Sequence, residues 1–98
     1  MKASLNENIR LLRSESAISQ VEFAKALNVS KQCVSNWEND NVQPSVEMLV
    51  KIADFFLISV DQLLGREFKE TVDISGLNEK QSAHIRLLIK DFLEANQE

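Results

Sequence analysis

Apolar residues recur at intervals of three and four through the first two thirds of this chain, and the pattern then breaks. Leu5, Ile9 and Leu12 form one helical stripe, Val21, Phe23, Ala24 and Leu27 a second, and Val34 and Trp37 a third. Met48, Leu49, Ile52, Ala53, Phe55 and Phe56 form a denser set, which predicts a central and mostly buried helix. Start signals fall just before these stripes. Ser4, Ser19 and Ser59 are each followed three residues on by Glu7, Glu22 and Gln62. A Ser at the cap can accept from the third amide of the helix, while the Glu or Gln reaches back to the cap. Ser30 and Ser45 are further cap residues, and Pro44 and Glu47 suit a helix start beside Ser45. The predicted helices cover 5–15, 20–27, 31–39, 46–56 and 60–64.

Only Asn28-Val29-Ser30 separates the second and third helices. Such a short link, with an Asn that tolerates positive φ, forces a tight change of direction. The pair is therefore predicted to be a helix-turn-helix. After Gly65 the residues 66–77 are charged, lack helical periodicity and contain Gly76, which predicts a linker with at most a brief extended piece at Val72–Ile74. Asn78, with Gln81 three residues later, opens a last helix reaching about Asn96. Its stripe of Ile85, Leu88, Ile89, Phe92 and Leu93 needs a surface to cover it. The expected organisation is a helix-turn-helix domain at 1–65, a linker at 66–77 and a C-terminal helix within 78–98.

Composition agrees with an all-α fold: two Gly, one Pro and no Tyr in 98 residues leave little material for hairpins. No apolar run approaches the roughly 18–20 residues that span a bilayer, and the start has no hydrophobic signal segment. A single cysteine, Cys33, forms no internal disulfide, so the expectation is a cytoplasmic protein without a membrane partner. One His, one Cys, no Gly-rich phosphate loop and no metal-ligand spacing argue against an enzyme, a metal site or a cofactor. The net charge of −4 divides unevenly. Residues 1–45 hold five charges of each sign, whereas 46–98 hold six basic against ten acidic residues. The acidity lies entirely in the second half, so charge neither excludes nor supports a nucleic-acid partner.

The ordered set Ile9-Arg10, Leu12-Arg13, Ser19-Gln20, Phe23-Ala24, Val29-Ser30, Val34-Ser35, Trp37-Glu38, Pro44-Ser45 and Val60-Asp61-Gln62-Leu63-Leu64 resembles the helix-turn-helix family of phage repressors and Cro, the XRE family. The resemblance covers all five predicted helices, from Ile9 to Gly65. It implies a five-helix lambda-repressor-like domain whose third helix enters the major groove of double-stranded DNA while the second lies across its mouth. On that basis Lys31, Gln32, Ser35 and Asn36 are expected to contact bases, with Val34 and Trp37 turned to the core. The residue types suit the task, since Lys donates to guanine, Gln or Asn pairs with adenine and Ser donates or accepts. Gln20, Ser30 and Asn39 are expected at phosphates, with Arg13 either at the DNA backbone or simply solvated. Arg10 either forms a structural ion pair with Glu38, as the family resemblance implies, or contacts DNA. Cys33 is expected to be inert, with oxidation blocking DNA docking as the alternative.

Some positions depart from the family pattern. Asp40-Asn41-Val42-Gln43 stands where relatives commonly have a Gly and basic residues, and Asn28 and Leu57 replace positions often held by Gly. Fewer neutralised phosphates mean weak nonspecific binding and a shallow salt dependence. Such a domain relies on base contacts and on dimerisation, so Ile85, Leu88, Ile89 and Phe92 are expected to form a homodimer interface. The expected function is that of a transcriptional regulator, a homodimeric repressor of a palindromic operator. The alternatives are a C-terminal helix that folds back on its own domain, or a protein-interaction module, an antitoxin or antagonist, whose C-terminal helix captures a different regulatory protein.

Overall fold

A computed structural model describes residues 4–66 and 71–97; the part of the predicted linker at 67–70 lies outside them. Among the described residues there are six helices and no strand: α1 (Leu5–Glu15), α2 (Gln20–Leu27), α3 (Lys31–Glu38), α4 (Val46–Phe55), α5 (Val60–Leu63) and α6 (Glu79–Ala95). The capping chemistry places the starts. The Ser19, Ser59 and Asn78 side chains accept from Glu22, Gln62 and Gln81 amides, and each third residue closes a reciprocal box. Ser30 and Ser45 accept from Cys33 and Met48 amides without that partner. Ser4 departs from the expected box. Its hydroxyl turns to Asn6 Oδ1 and Glu7 Oε1, each 2.7 Å away, and caps no amide. In the Ser19 box, the hydrogen bonds to Ser19 hold the Glu22 carboxyl below its ordinary pKa.

The core collects Ile9 from α1, Phe23, Ala24 and Leu27 from α2, Val34 and Trp37 from α3, Ile52 and Ala53 from α4, and Leu63 from α5. α3 packs on α1 and α2, α4 on α5, and α5 on α1. Phe23 is enclosed, with the Phe55 and Phe56 rings 5.5 and 5.3 Å away, and those two meet edge to face at 4.9 Å. α4 is less buried than its dense stripe predicts. Ile52 and Ala53 are buried, but Val46, Val50 and Phe55 are exposed, because one face of a ten-residue helix at the rim suffices to close the core.

Four non-glycine residues adopt left-handed φ in this fold: Ala17 at 57°, Asn28 at 59°, Asp40 at 60° and Leu57 at 58°. Gly65, at 75°, does so after α5. Each reverses the chain at a helix end, where a residue without a side chain is favoured. Asn tolerates the conformation through its short polar side chain, whereas Ala and Leu do not. Ala17 is exposed, so Ala17→Gly relieves the backbone without removing packing. It is expected to stabilise the domain by about 0.5–1 kcal/mol, measured as a higher midpoint in urea unfolding; an unchanged or lower midpoint would refute the strain. Leu57 is the poorer place to test it, because its side chain lines a groove with Ile58, Val72, Ile74, Leu77 and Ile85.

Residues 71–77 run beside that groove without helix or strand. The Asp73 amide donates to the Leu57 carbonyl at 3.2 Å, and the Thr71 hydroxyl donates to Gln62 Oε1 at 3.2 Å. The segment therefore lies on the end of α4 and carries α6 beside the domain. α6 rests its first turns there, with Ser82 buried and Ile85 half-buried. Further along, Leu87, Leu88, Ile89, Phe92 and Leu93 are all exposed.

Candidate nucleic-acid interface

Asn28, in the left-handed conformation, turns α2 into α3. The Val29 amide returns to the Ala24 carbonyl at 2.9 Å, and Ser30 caps α3. The fold then sets the face of α3. Val34 and Trp37 are buried in the core, so helical geometry turns the rest of the circumference outward. Lys31 and Gln32 are exposed on the first turn, and Ser35 and Asn36 are partly exposed on the next. Gln32 Nε2 donates to Asn36 Oδ1 at 3.0 Å, so the two amides expected to read bases are held side by side. Cys33 is a free thiol, half-buried against the core. The structure thus brings Lys31, Gln32, Ser35 and Asn36 onto one outward face beside the start of α2.

Behind this face lies a charged cluster centred on Glu38, the last residue of α3, whose side chain is 1% exposed. Arg13 grips it from α1 with two hydrogen bonds, Nε to Oε2 at 2.6 Å and Nη2 to Oε1 at 3.0 Å. Its third nitrogen, Nη1, donates to the Ile18 carbonyl at 2.9 Å. Gln20 Nε2 donates to Glu38 Oε1 at 3.1 Å. Hydrogen bonding to Glu38 raises the Arg13 pKa, opposed by burial and reinforced by the charge of the carboxylate.

These positions revise the expectation for Arg13. Arg13, expected at the DNA backbone or in solvent, is turned inward with Nε, Nη1 and Nη2 all engaged, its side chain 16% exposed. Arg10 pairs with Glu38 as well, Nε to Oε1 at 3.9 Å, but it is the longer pair and its side chain is half-exposed. Its short bond is to the Glu38 backbone carbonyl, 3.0 Å from Nη2, and the same nitrogen reaches Asn39 Oδ1 at 3.3 Å. The physical reason is position along α1. Arg13 sits one turn deeper towards the Ile18 loop, where a planar fork can meet both carboxylate oxygens.

Among the expected phosphate contacts, Gln20 sits at the first position of α2 with its amide turned to Glu38. Ser30 is occupied as the cap of α3 and Asn39 as a bridge from Arg10 to Ser35, since Asn39 Nδ2 donates to Ser35 Oγ at 3.2 Å. The Gln20–Glu38 and Asn39–Ser35 links are absent from the reading of the sequence alone. Only the short spacing from Ser35 to Asn39 signalled one of them. Among the expected interface residues of α6, Leu88, Ile89 and Phe92 are open to solvent, whereas Ile85 faces the groove shared with Asp54, Leu57 and Ile58. Among the described residues no cluster of His, Cys, Asp and Glu has metal-binding geometry, and no helix is long and apolar enough to cross a membrane.

The fold has known relatives. A helix-turn-helix family model matches residues 9–63. The transcriptional activator BcrR of Enterococcus faecalis is 36% identical over 62 residues, 63% of this chain and 30% of BcrR. The transcriptional regulator ImmR of Bacillus subtilis (strain 168) is 32% identical over 95 residues, 97% of this chain and 67% of ImmR. This chain thus spans under a third of the length of BcrR and about two thirds of that of ImmR. Among solved structures, the P22 c2 repressor in complex with a synthetic operator superposes with a TM-score of 0.62 at 29% identity, covering 66% of this chain and 98% of that one. With the five-helix order, the Asn28 turn and the outward α3 face in place, this chain belongs to the helix-turn-helix family of phage repressors and Cro.

Proposed function

We propose that this chain is a sequence-specific DNA-binding transcriptional regulator that acts as a homodimeric repressor, with α3 reading the major groove of a palindromic operator. One observation carries the proposal: Lys31, Gln32, Ser35 and Asn36 share an outward face whose reverse side, Val34 and Trp37, is locked in the core. A helix held this way presents amides, a hydroxyl and an ammonium at a fixed depth, which is the inventory that distinguishes base pairs. The likeness to the P22 c2 repressor, solved on its operator, supports the same docking. The mechanism is occlusion of a promoter, with no bond made or broken.

Gln32→Ala or Asn36→Ala is expected to cost about 1–3 kcal/mol on the preferred site and to relax the preference at the contacted base pair. Titration of the wild-type and variant chains against the selected site and its single-base substitutions tests this. An unchanged preference in both variants would refute the reading face. Salt dependence offers a second check. Arg13 is committed to Glu38, and Asp40-Asn41-Val42-Gln43 supplies no cation. Few phosphates are then neutralised, and the logarithmic salt slope is expected to be shallow.

A second reading rests on α6. Its exposed Leu87, Leu88, Ile89, Phe92 and Leu93 suit capture of a different protein as well as a second copy. Under that reading the full-length chain is a monomer in sedimentation and its α6 face is filled only in a heteromeric complex.

A further inference from the structure

The direction of the hydrogen bonds on α3 can be deduced from atoms that have no choice of role. A guanidinium only donates. The Asn39 atom facing Arg10 Nη2 at 3.3 Å is therefore its amide oxygen. That orientation turns the Asn39 amide nitrogen to Ser35, 3.2 Å from Oγ. An amide nitrogen also only donates, so Ser35 Oγ is the acceptor of this bond. Its own proton remains, and among the described residues no acceptor takes it. Arg10 is itself anchored, because Nη2 also donates to the Glu38 carbonyl at the closed end of α3. The sequence of donors runs one way, from α1 through Asn39 to the outward face of α3.

We infer that Arg10, acting through Asn39, biases Ser35 to donate a hydrogen bond towards DNA, so that the base edge favoured opposite Ser35 is an acceptor. This inference rests on α3 being the reading helix and specifies what one of its residues reads. A serine hydroxyl alone is ambiguous, since it donates or accepts with equal ease. Here Asn39 takes up one of the two lone pairs and leaves the proton over, so the relay biases the hydroxyl towards donating. Guanine, with O6 and N7, thymine, with O4, and adenine, with N7, offer acceptors in the major groove, whereas cytosine offers only the N4 donor. The position facing Ser35 therefore favours a base with an exposed acceptor over cytosine. Arg10 and Asn39 are positioning residues in this account, since their effect on specificity passes through the hydroxyl.

Selection of bound sites from random duplex DNA, performed with the full chain and its variants, tests the relay. Ser35→Ala identifies the base pair concerned, as the one whose preference it abolishes. At that position the wild-type chain is expected to favour the acceptor-bearing guanine, thymine or adenine over cytosine by roughly five- to tenfold. Asn39→Asp replaces the donating nitrogen by an acceptor, so the Ser35 proton turns inward and its lone pairs face the DNA. The same position is then expected to move towards cytosine while the rest of the motif persists. Arg10→Ala frees the Asn39 amide to rotate, and the preference there is expected to flatten; this variant decides the matter if the added charge of Asn39→Asp prevents binding. A preference that both Asn39→Asp and Arg10→Ala leave unchanged overturns the relay. A wild-type selection without any motif overturns the reading helix itself, which separates the two failures.

Discussion

Arg13→Met is expected to destabilise the domain by about 3–5 kcal/mol, because it leaves the Glu38 carboxylate buried without its bidentate partner. The cost comes from desolvation. Glu38 is 1% exposed, and Gln20 and the more distant Arg10 are the polar groups left to meet it. A domain of this size holds only about 5–15 kcal/mol in total, so the variant falls close to the threshold of folding. Arg10→Met removes a half-exposed side chain 3.9 Å from the carboxylate and is expected to cost under about 1 kcal/mol. Urea unfolding of the two variants side by side is the measurement. Equal losses, or a larger loss for Arg10→Met, would reverse the assignment of the ion pair. The paired variant Arg13→Met with Glu38→Leu should recover much of the loss, since replacing both members of a buried pair by apolar groups is often neutral.

The second large effect concerns α6. Phe92→Glu is expected to convert a dimer of the full chain to a monomer and to lower affinity for a two-half-site DNA by roughly a hundredfold or more. Affinity for a single half-site should hold, because the α3 face is untouched. Phe92 is 67% exposed, and Leu88 and Ile89 are open beside it. A charge there therefore disturbs the domain core little, and thermal unfolding serves as the control. The recognition helices of two copies must then sit about 34 Å apart to meet half-sites one helical turn apart. Sedimentation of residues 1–66 beside the full chain gives an independent reading. Full chains that remain dimeric with Phe92→Glu, or fragments that dimerise without α6, would place the dimer contact elsewhere. Leu88→Glu is the better companion variant than Ile85→Glu, since Ile85 packs partly against its own domain.

Together these two substitutions separate what α3 needs in order to be held from what it needs in order to bind. Glu38 closes the end of the reading helix against α1 and α2, drawing Arg13 and Gln20 to one carboxylate. The same fold spends its most capable cation internally, which leaves Lys31 as the charged residue on the outward face. Under the proposed function, a reader built this way would gain orientation and lose grip on phosphate, and a second copy would restore affinity through effective concentration.

The helices and the helix-turn-helix were legible in the chain because their causes are local. Apolar spacing chooses the buried stripe and cap residues mark the starts, so α1, α2 and the order of all six helices follow from residues within a few positions of one another. Lys31, Gln32, Ser35 and Asn36 were named by the family resemblance, and in the structure they lie on the outward side because Val34 and Trp37 are buried. Burial, by contrast, could not be apportioned along α4, where Phe55 shares the stripe of Ile52 yet stays exposed. Nor could spacing tell which arginine meets Glu38. Arg10 and Arg13 lie on neighbouring faces of α1, and their partner is 25 or more residues away. Only the rotation of α1 against α3 decides that Arg13 takes both carboxylate oxygens while Arg10 takes a carbonyl and Asn39. Local chemistry determined the elements and the face that looks outward. Which side chains behind that face hold one another depends on distances between helices, and those exist only once the core has closed.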